Sequence, residues 1–207
     1  GVDPLQQYLL PLSRGRWQAL SIAWDARSAQ AGGQRWYHLY PDDKIDFKDH
    51  QLLLINTNVK HRLSDSAYND RRSTCESIAK LLGNKALRDA KESDLDNIKD
   101  KVTPDNYQKA LFVIQENNRV LKASKAIEFG DLETLGALIF RSHSGLQNQY
   151  KVSCEELDFL VDQAKITENV LGARMMGGGF GGCTINLVKK TKIKAFAETV
   201  SIAYKKK

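Results

Sequence analysis

The sequence predicts an α+β domain. A short apolar run at 51–59 reads as a buried strand. Between 66 and 165, apolar residues recur at helical spacing in several separate stretches. A glycine-rich run at 177–182 then leads into a second apolar run, Cys183–Val188, and a last helical stretch. Strand, several helices, glycine loop, strand and helix in that order fit an α+β pattern, with no internal repeat.

The first 45 residues stand apart. Residues 1–43 hold all three tryptophans, Trp17, Trp24 and Trp36, with four arginines and no lysine, whereas residues 44–207 hold twenty lysines, seven arginines and no tryptophan. Lysine and arginine serve alike on a solvated surface, so folding does not force such a switch. The break is read as a joint between two origins, 1–45 and 46–207. Bulky residues at partly alternating positions predict a strand over Trp17–Trp24 and another over Arg35–Tyr40, with a turn at Ala31–Gly33. Two strands cannot bury a core, so a loosely attached hairpin or a poorly ordered segment is expected. The end of this segment, QRWYHLYPDD, resembles a stretch of multihaem c-type cytochromes. Haem attachment needs CxxCH and this segment has no cysteine, so no haem is expected and His38 is read as a polar edge residue.

After the strand at 51–59, Ser66 is placed as the N-cap of a helix over Ala67–Leu82, closed by Gly83 and burying Ala67, Cys75, Ile78, Ala79 and Leu82. A short helix is expected at Glu92–Ile98. A long one follows over Asp105–Phe129, with Tyr107, Ala110, Leu111, Ile114, Val120, Leu121, Ile127 and Phe129 on its inward face and Gly130 at its end. Asp131 caps the next, through Leu135, Leu138, Ile139 and Leu146. Ser153 caps another, through Leu157, Leu160, Val161 and Ala164, with Glu156 in the capping-box position. The last helix begins near Thr191.

Bulk properties narrow the function. The net charge is +6 and the pI near 9.1. The lysines are scattered and aromatic residues do not interleave with them, so nucleic acid is not expected as a partner. No apolar run is long enough for a transmembrane helix, and the start is unlike a signal peptide, so no membrane partner is expected. The N-terminus also lacks an initiator Met, which suggests a fragment. Cys75, Cys154 and Cys183 form no CxxC pair and no zinc spacing with histidine. No metal site is expected, the cysteines are read as packing residues, and a reducing, cytoplasmic setting is inferred.

Two motifs carry chemistry. In Gly177–Gly182, GGGFGG, five glycines surround Phe180. Glycine permits positive φ and close backbone approach, and successive amides in such a loop can cradle an anion. A tight turn with a buried Phe180 is the plainer alternative. The other motif is LLLINTNVKHRLSDSAYNDRRSTCES, residues 52–77. Within it Tyr68 joins a hydrogen-bonding phenol to an apolar ring, and on its own is read as a core-facing tyrosine that satisfies its own hydroxyl. Asn56 and Asn58 are read as shaping the strand end. Arg71 and Arg72 are left unassigned, and His61 and His143 are read as solvated or structural.

Residues 52–77 and GARMMGGGFGGCTINLV, residues 172–188, in this order and separation resemble galactokinase, of the GHMP small-molecule kinase superfamily. QENNRVLKA, the turn at 129–132, RSHSGLQNQY and VSCEELDFLV resemble the same family's helical segments, so the resemblance covers about residues 46–207. It implies a ferredoxin-like antiparallel sheet covered by helices, cut at both ends, and phosphorylation of galactose at its anomeric hydroxyl by MgATP. It implies that Tyr68 contacts the sugar and that Gly177, Gly178, Gly179, Phe180, Gly181 and Gly182 shape the phosphate region. Met176 stands where the family usually has Thr, and cannot donate the hydrogen bond a hydroxyl would. The family's catalytic aspartate and arginine, its GRxNLIGEHTDY sugar segment and its GLSSSA phosphate loop are not in this chain. No catalytic residue is therefore assigned here, most ligands of ATP and Mg2+ are expected elsewhere, and the chain alone is expected to be inactive. The family's final strand after the last helix is also expected to be missing, leaving a sheet edge unpaired. The alternative implied function is a non-catalytic galactokinase-like protein that senses galactose and ATP.

Overall fold

A computed structural model describes residues 5–6, 9–12, 16–19, 22–25, 35–38, 45–59 and 65–206, with residues before 45 and 65–68 described by their backbone. Among the described residues, five short strands precede residue 39: β1 (Leu5–Gln6), β2 (Leu9–Leu12), β3 (Arg16–Ala19), β4 (Ile22–Asp25) and β5 (Arg35–His38). β2 and β3 form one antiparallel pair, and β4 lies between β1 and β5 in a second, three-stranded antiparallel sheet. The strand expected over 17–24 is thus two strands in two sheets. β4 and β5 supply the expected hairpin, with Trp24 opposite Trp36.

The remaining elements are β6 (His50–Asn56), α1 (Asp65–Leu81), α2 (Glu92–Asp96), α3 (Pro104–Glu128), α4 (Leu132–Asn148), α5 (Glu155–Lys165), β7 (Val170–Met175), β8 (Cys183–Lys189) and α6 (Ile193–Tyr204). β6, β8 and β7 form an antiparallel sheet with β8 in the middle. The third strand is therefore inserted between the first two, the split order of ferredoxin-like sheets. β6 pairs along its whole length, from His50 opposite Lys189 to Asn56 opposite Cys183. β7 carries a bulge between Val170 and Gly172.

The alternation of a strand places Leu53 and Ile55 of β6 on the face that meets α5 and α6. There they join Val170 and Ala173 of β7, Val188 of β8, Leu160, Val161 and Ala164 of α5, and Phe196 and Val200 of α6. Leu52 and Leu54 point the other way and are exposed, so the strand expected to be buried is covered on one face only. A second cluster joins Ile78 and Ala79 of α1 to Leu87, Leu95 and Ile98 and to Ala110 and Ile114 of α3. Leu95 and Leu157 are fully buried, each contributing roughly 1.5–3 kcal/mol through removal from water.

Helix ends follow local chemistry. Thr103 caps α3, its side chain accepting the Asn106 N–H at 3.2 Å, with Pro104 in the first turn where no N–H is needed. Asp131 caps α4 as expected, accepting the Thr134 N–H at 3.0 Å. Three expectations shift. α1 starts at Asp65, so Ser66 lies inside the helix. The N-cap of α5 is Cys154, because the Ser153 hydroxyl is turned to Asp158 instead. Phe129 and Leu121, expected inward, are 83% and 53% exposed. Phe129 ends α3 as its C-cap and leaves the helical stripe there. Among the described residues, no helix is long and apolar enough to cross a membrane.

Candidate functional site

β7 and β8 are consecutive antiparallel strands, and residues 176–182 are the loop between them. Met176 N–H donates to Cys183 O at 2.9 Å where the ladder ends. The backbone then passes through positive φ at Gly177, Gly179, Phe180, Gly181 and Gly182. The glycine run is thus a strand-to-strand turn, with Phe180 half-buried.

Two pieces of chain clamp its second half. Val152 O accepts the Phe180 N–H at 2.8 Å, and a Cβ added to Gly179 would sit 2.0 Å from that same oxygen. On the other side, a Cβ on Gly181 would approach Val59 O to 2.7 Å. Gly182 N–H donates to Val59 O at 3.3 Å, and Gly182 O accepts from both Thr57 N–H (2.9 Å) and the Thr57 hydroxyl (2.7 Å). Thr57 is 2% exposed, its hydroxyl also accepts the Val59 N–H at 3.2 Å, and its carbonyl accepts the Tyr204 hydroxyl at 2.8 Å. Asn56 accepts the Asn58 N–H at 2.9 Å, and Asn58 takes a positive φ, so both asparagines shape the strand end as expected. The first half of the loop, Met176–Gly178, is exposed.

Arg71, unassigned from sequence, belongs to the same assembly. Its Nε donates to Tyr150 O at 2.9 Å and its Nη2 to Lys151 O at 2.6 Å. Its guanidinium carbon lies 5.5 Å from the Phe180 ring centre and 5.9 Å from that of Tyr150. A planar cation can hold two backbone carbonyls and two aromatic faces at once, which a lysine cannot. Arg72, its neighbour, makes a surface pair with Glu76. The doublet RR in a helix reads as surface charge, and only the fold separates the two roles. Tyr68 lies in the first turns of α1, three residues before Arg71, and its side chain is outside the described residues, as is His61.

His143 is 1% exposed, which removes the solvated reading. Its Nδ1 accepts the Met175 N–H at 3.2 Å. Its Nε2 lies 3.2 Å from Asp158 Oδ1, bent from the ideal hydrogen-bond line. Burial raises the pKa of Asp158, but the adjacent His143 imidazole and the Ser153 hydroxyl outweigh it and hold the carboxyl below its ordinary 3.8. Burial pushes the thiols of Cys75 and Cys154 up, which suits packing residues better than nucleophiles.

Two further polar groups brace the helices. Lys109 of α3, 7% exposed, pairs with Asp70 of α1 at 2.9 Å and with Asp105 at 3.0 Å. Glu116 of α3 takes Arg119, Arg174 of β7 and the Ser142 hydroxyl. An open cleft of about 490 Å³ lies beside them, lined by Arg119, Lys122, Lys125 and Arg141 among others. None of its lining residues belongs to the glycine loop or to residues 52–77, so it is not the site the motifs mark.

Residues 120–206 match the family model for the GHMP kinases C terminal. With the antiparallel sheet and its helices, this makes the fold that of a GHMP-kinase C-terminal domain. The chain is 45% identical over 162 residues to the galactokinase of Thermotoga neapolitana, covering 78% of this chain and 45% of that protein. It is 41% identical over 138 residues to human galactokinase, covering 67% of this chain and 35% of that protein. Among solved structures, Lactococcus lactis galactokinase complexed with galactose superposes with a TM-score of 0.75 at 29% identity, over 89% of this chain and 47% of that one. The chain spans about half the length of the curated relatives it matches.

Proposed function

We propose that this chain, a GHMP-kinase C-terminal domain by fold, supplies the C-terminal half of a galactokinase-type sugar kinase. The observation that carries the reading is the meeting of its two motifs. Thr57 and Val59 from the first hold Gly181 and Gly182 of the second, and Arg71 from the first lies over Phe180 of the second. Segments more than a hundred residues apart in sequence build one rigid loop with an exposed tip.

That loop can serve phosphoryl transfer by position and charge. Met176–Gly178 present backbone to solvent while Gly179–Gly182 are clamped, so the tip keeps its shape without a partner holding it. The reaction proposed for the whole protein is that of its relatives by name: galactose is the acceptor, and MgATP supplies the phosphoryl group. Tyr68, on the helix that carries Arg71, is assigned to the sugar, and Gly177–Gly182 to the phosphate region. With Met176 in place of a threonine, the tip acts through its backbone.

The family's catalytic aspartate, arginine and phosphate loop have no counterpart in these 207 residues. The chain alone is therefore expected to release no ADP in response to galactose. A coupled ADP-release assay measures this. Galactose-dependent turnover well above that of a Tyr68→Phe variant would overturn the statement, and would place the missing chemistry within this chain.

A further inference from the structure

We propose that His143 is the positioning residue of the glycine loop, holding the end of β7 through a single imidazole tautomer that Asp158 selects. A backbone amide can only donate. The nitrogen that receives the Met175 N–H, Nδ1, must therefore carry the lone pair. The ring proton is left on Nε2, which faces the Asp158 carboxylate at 3.2 Å. Asp158 is held in turn by the Ser153 hydroxyl and the Gln147 side chain.

The arrangement reaches the loop directly. Met175 is the last residue of β7, paired with Thr184, and the exposed tip begins at the next residue. The segment that supplies Ser153 also supplies Val152 O, which pins Gly179 and Phe180. One short stretch before α5 thus grips the loop twice, directly at Val152 and through Asp158 and His143 at the loop's entry. A histidine kept only for packing would need neither a particular nitrogen at Met175 nor a carboxylate behind it. The functional importance of the loop rests on the kinase reading above. The geometry of His143, and the test below, do not.

Two substitutions separate positioning from filling. The Oδ1 of His143→Asn falls near Nδ1 and can still accept the Met175 N–H, but does not reach Asp158. The side chain of His143→Gln reaches toward Asp158 and leaves the Met175 amide without its acceptor. The measurement is amide hydrogen exchange at Met175 and Met176 in this full chain, with Asn186 and Leu187 in the central strand as the internal control. His143→Gln is expected to speed exchange at Met175 and Met176 by about tenfold, the worth of one buried hydrogen bond. His143→Asn is expected to change it by less than about threefold, with the control amides unmoved in both. Equal acceleration in the two variants, or none in either, would overturn the proposal. Should neither variant fold, the nitrogen-15 spectrum of the wild-type imidazole decides. Protonated Nε2 with unprotonated Nδ1 supports the assignment, and the opposite tautomer or averaging between the two contradicts it.

Discussion

Asp158 accepts a hydrogen bond from Ser153 and lies 3.2 Å from His143 Nε2, so its carboxyl ionises more readily in the fold than in the unfolded chain. A folded pKa below the ordinary 3.8 means the unfolded chain binds the proton more tightly at acid pH. The contribution of Asp158 to stability is then complete above 3.8 and is lost as pH falls through the lower, folded value. Asp158→Asn should reduce stability at neutral pH and flatten this acid limb. Urea titrations between pH 2 and 7 measure it, and an acid limb as steep in the variant as in the wild type would count against the pairing. Little of this was legible residue by residue. His143 sits in a helical pattern that says nothing of which nitrogen it uses, because its partners, Met175 and Asp158, come from other elements. Arg71 was hidden for the same reason: its ligands are carbonyls at 150 and 151, which no local pattern marks.

At the scale of elements, most of the chain was legible. The stripes of α1, α4 and α5, most of that of α3 and the apolar run of β8 matched their burial, because burial on one side of a helix or strand leaves a period in the sequence, whereas β6, apolar along its run, is covered on one face only. β7 was missed. Its sequence, VLGARM, mixes a glycine with residues common in helices, and its bulge breaks the alternation a strand reader looks for. Only the pairing with β8 makes it a strand. The loop between β7 and β8 carries the sharpest expectation at this scale. Gly179 has φ +91° and would place a Cβ 2.0 Å from Val152 O. Gly179→Ala combines that clash with a backbone conformation alanine disfavours, and should cost about 1–3 kcal/mol or more. Gly177 has open space around it and φ +85°, so Gly177→Ala pays for conformation alone and should lower the thermal midpoint by visibly less. Calorimetry on the two variants checks the order, and an equal loss in both would show that the clamp at Val152 does not bear on stability.

The whole molecule joins a domain whose class was legible to a leading segment whose relation to it was not. The run of helices between strands and the antiparallel sheet follow from pattern, while the split strand order does not, since pairing between β6 and β8 spans more than 120 residues. The composition break near residue 45 is a property of the sequence and leaves the origin of residues 1–45 as a proposal. Whether residues 46–207 fold without that segment and the assigned chemistry can be tested together. Residues 46–207 of this chain would replace the matching segment of the Thermotoga neapolitana galactokinase, and galactose-dependent ADP release would be followed in that hybrid and in its Tyr68→Phe variant. The hybrid is expected to fold without residues 1–45 and to phosphorylate galactose, with the KM for galactose raised in the variant. A hybrid that folds and binds ATP but releases no ADP with galactose would contradict the claim that this chain is half of a galactokinase.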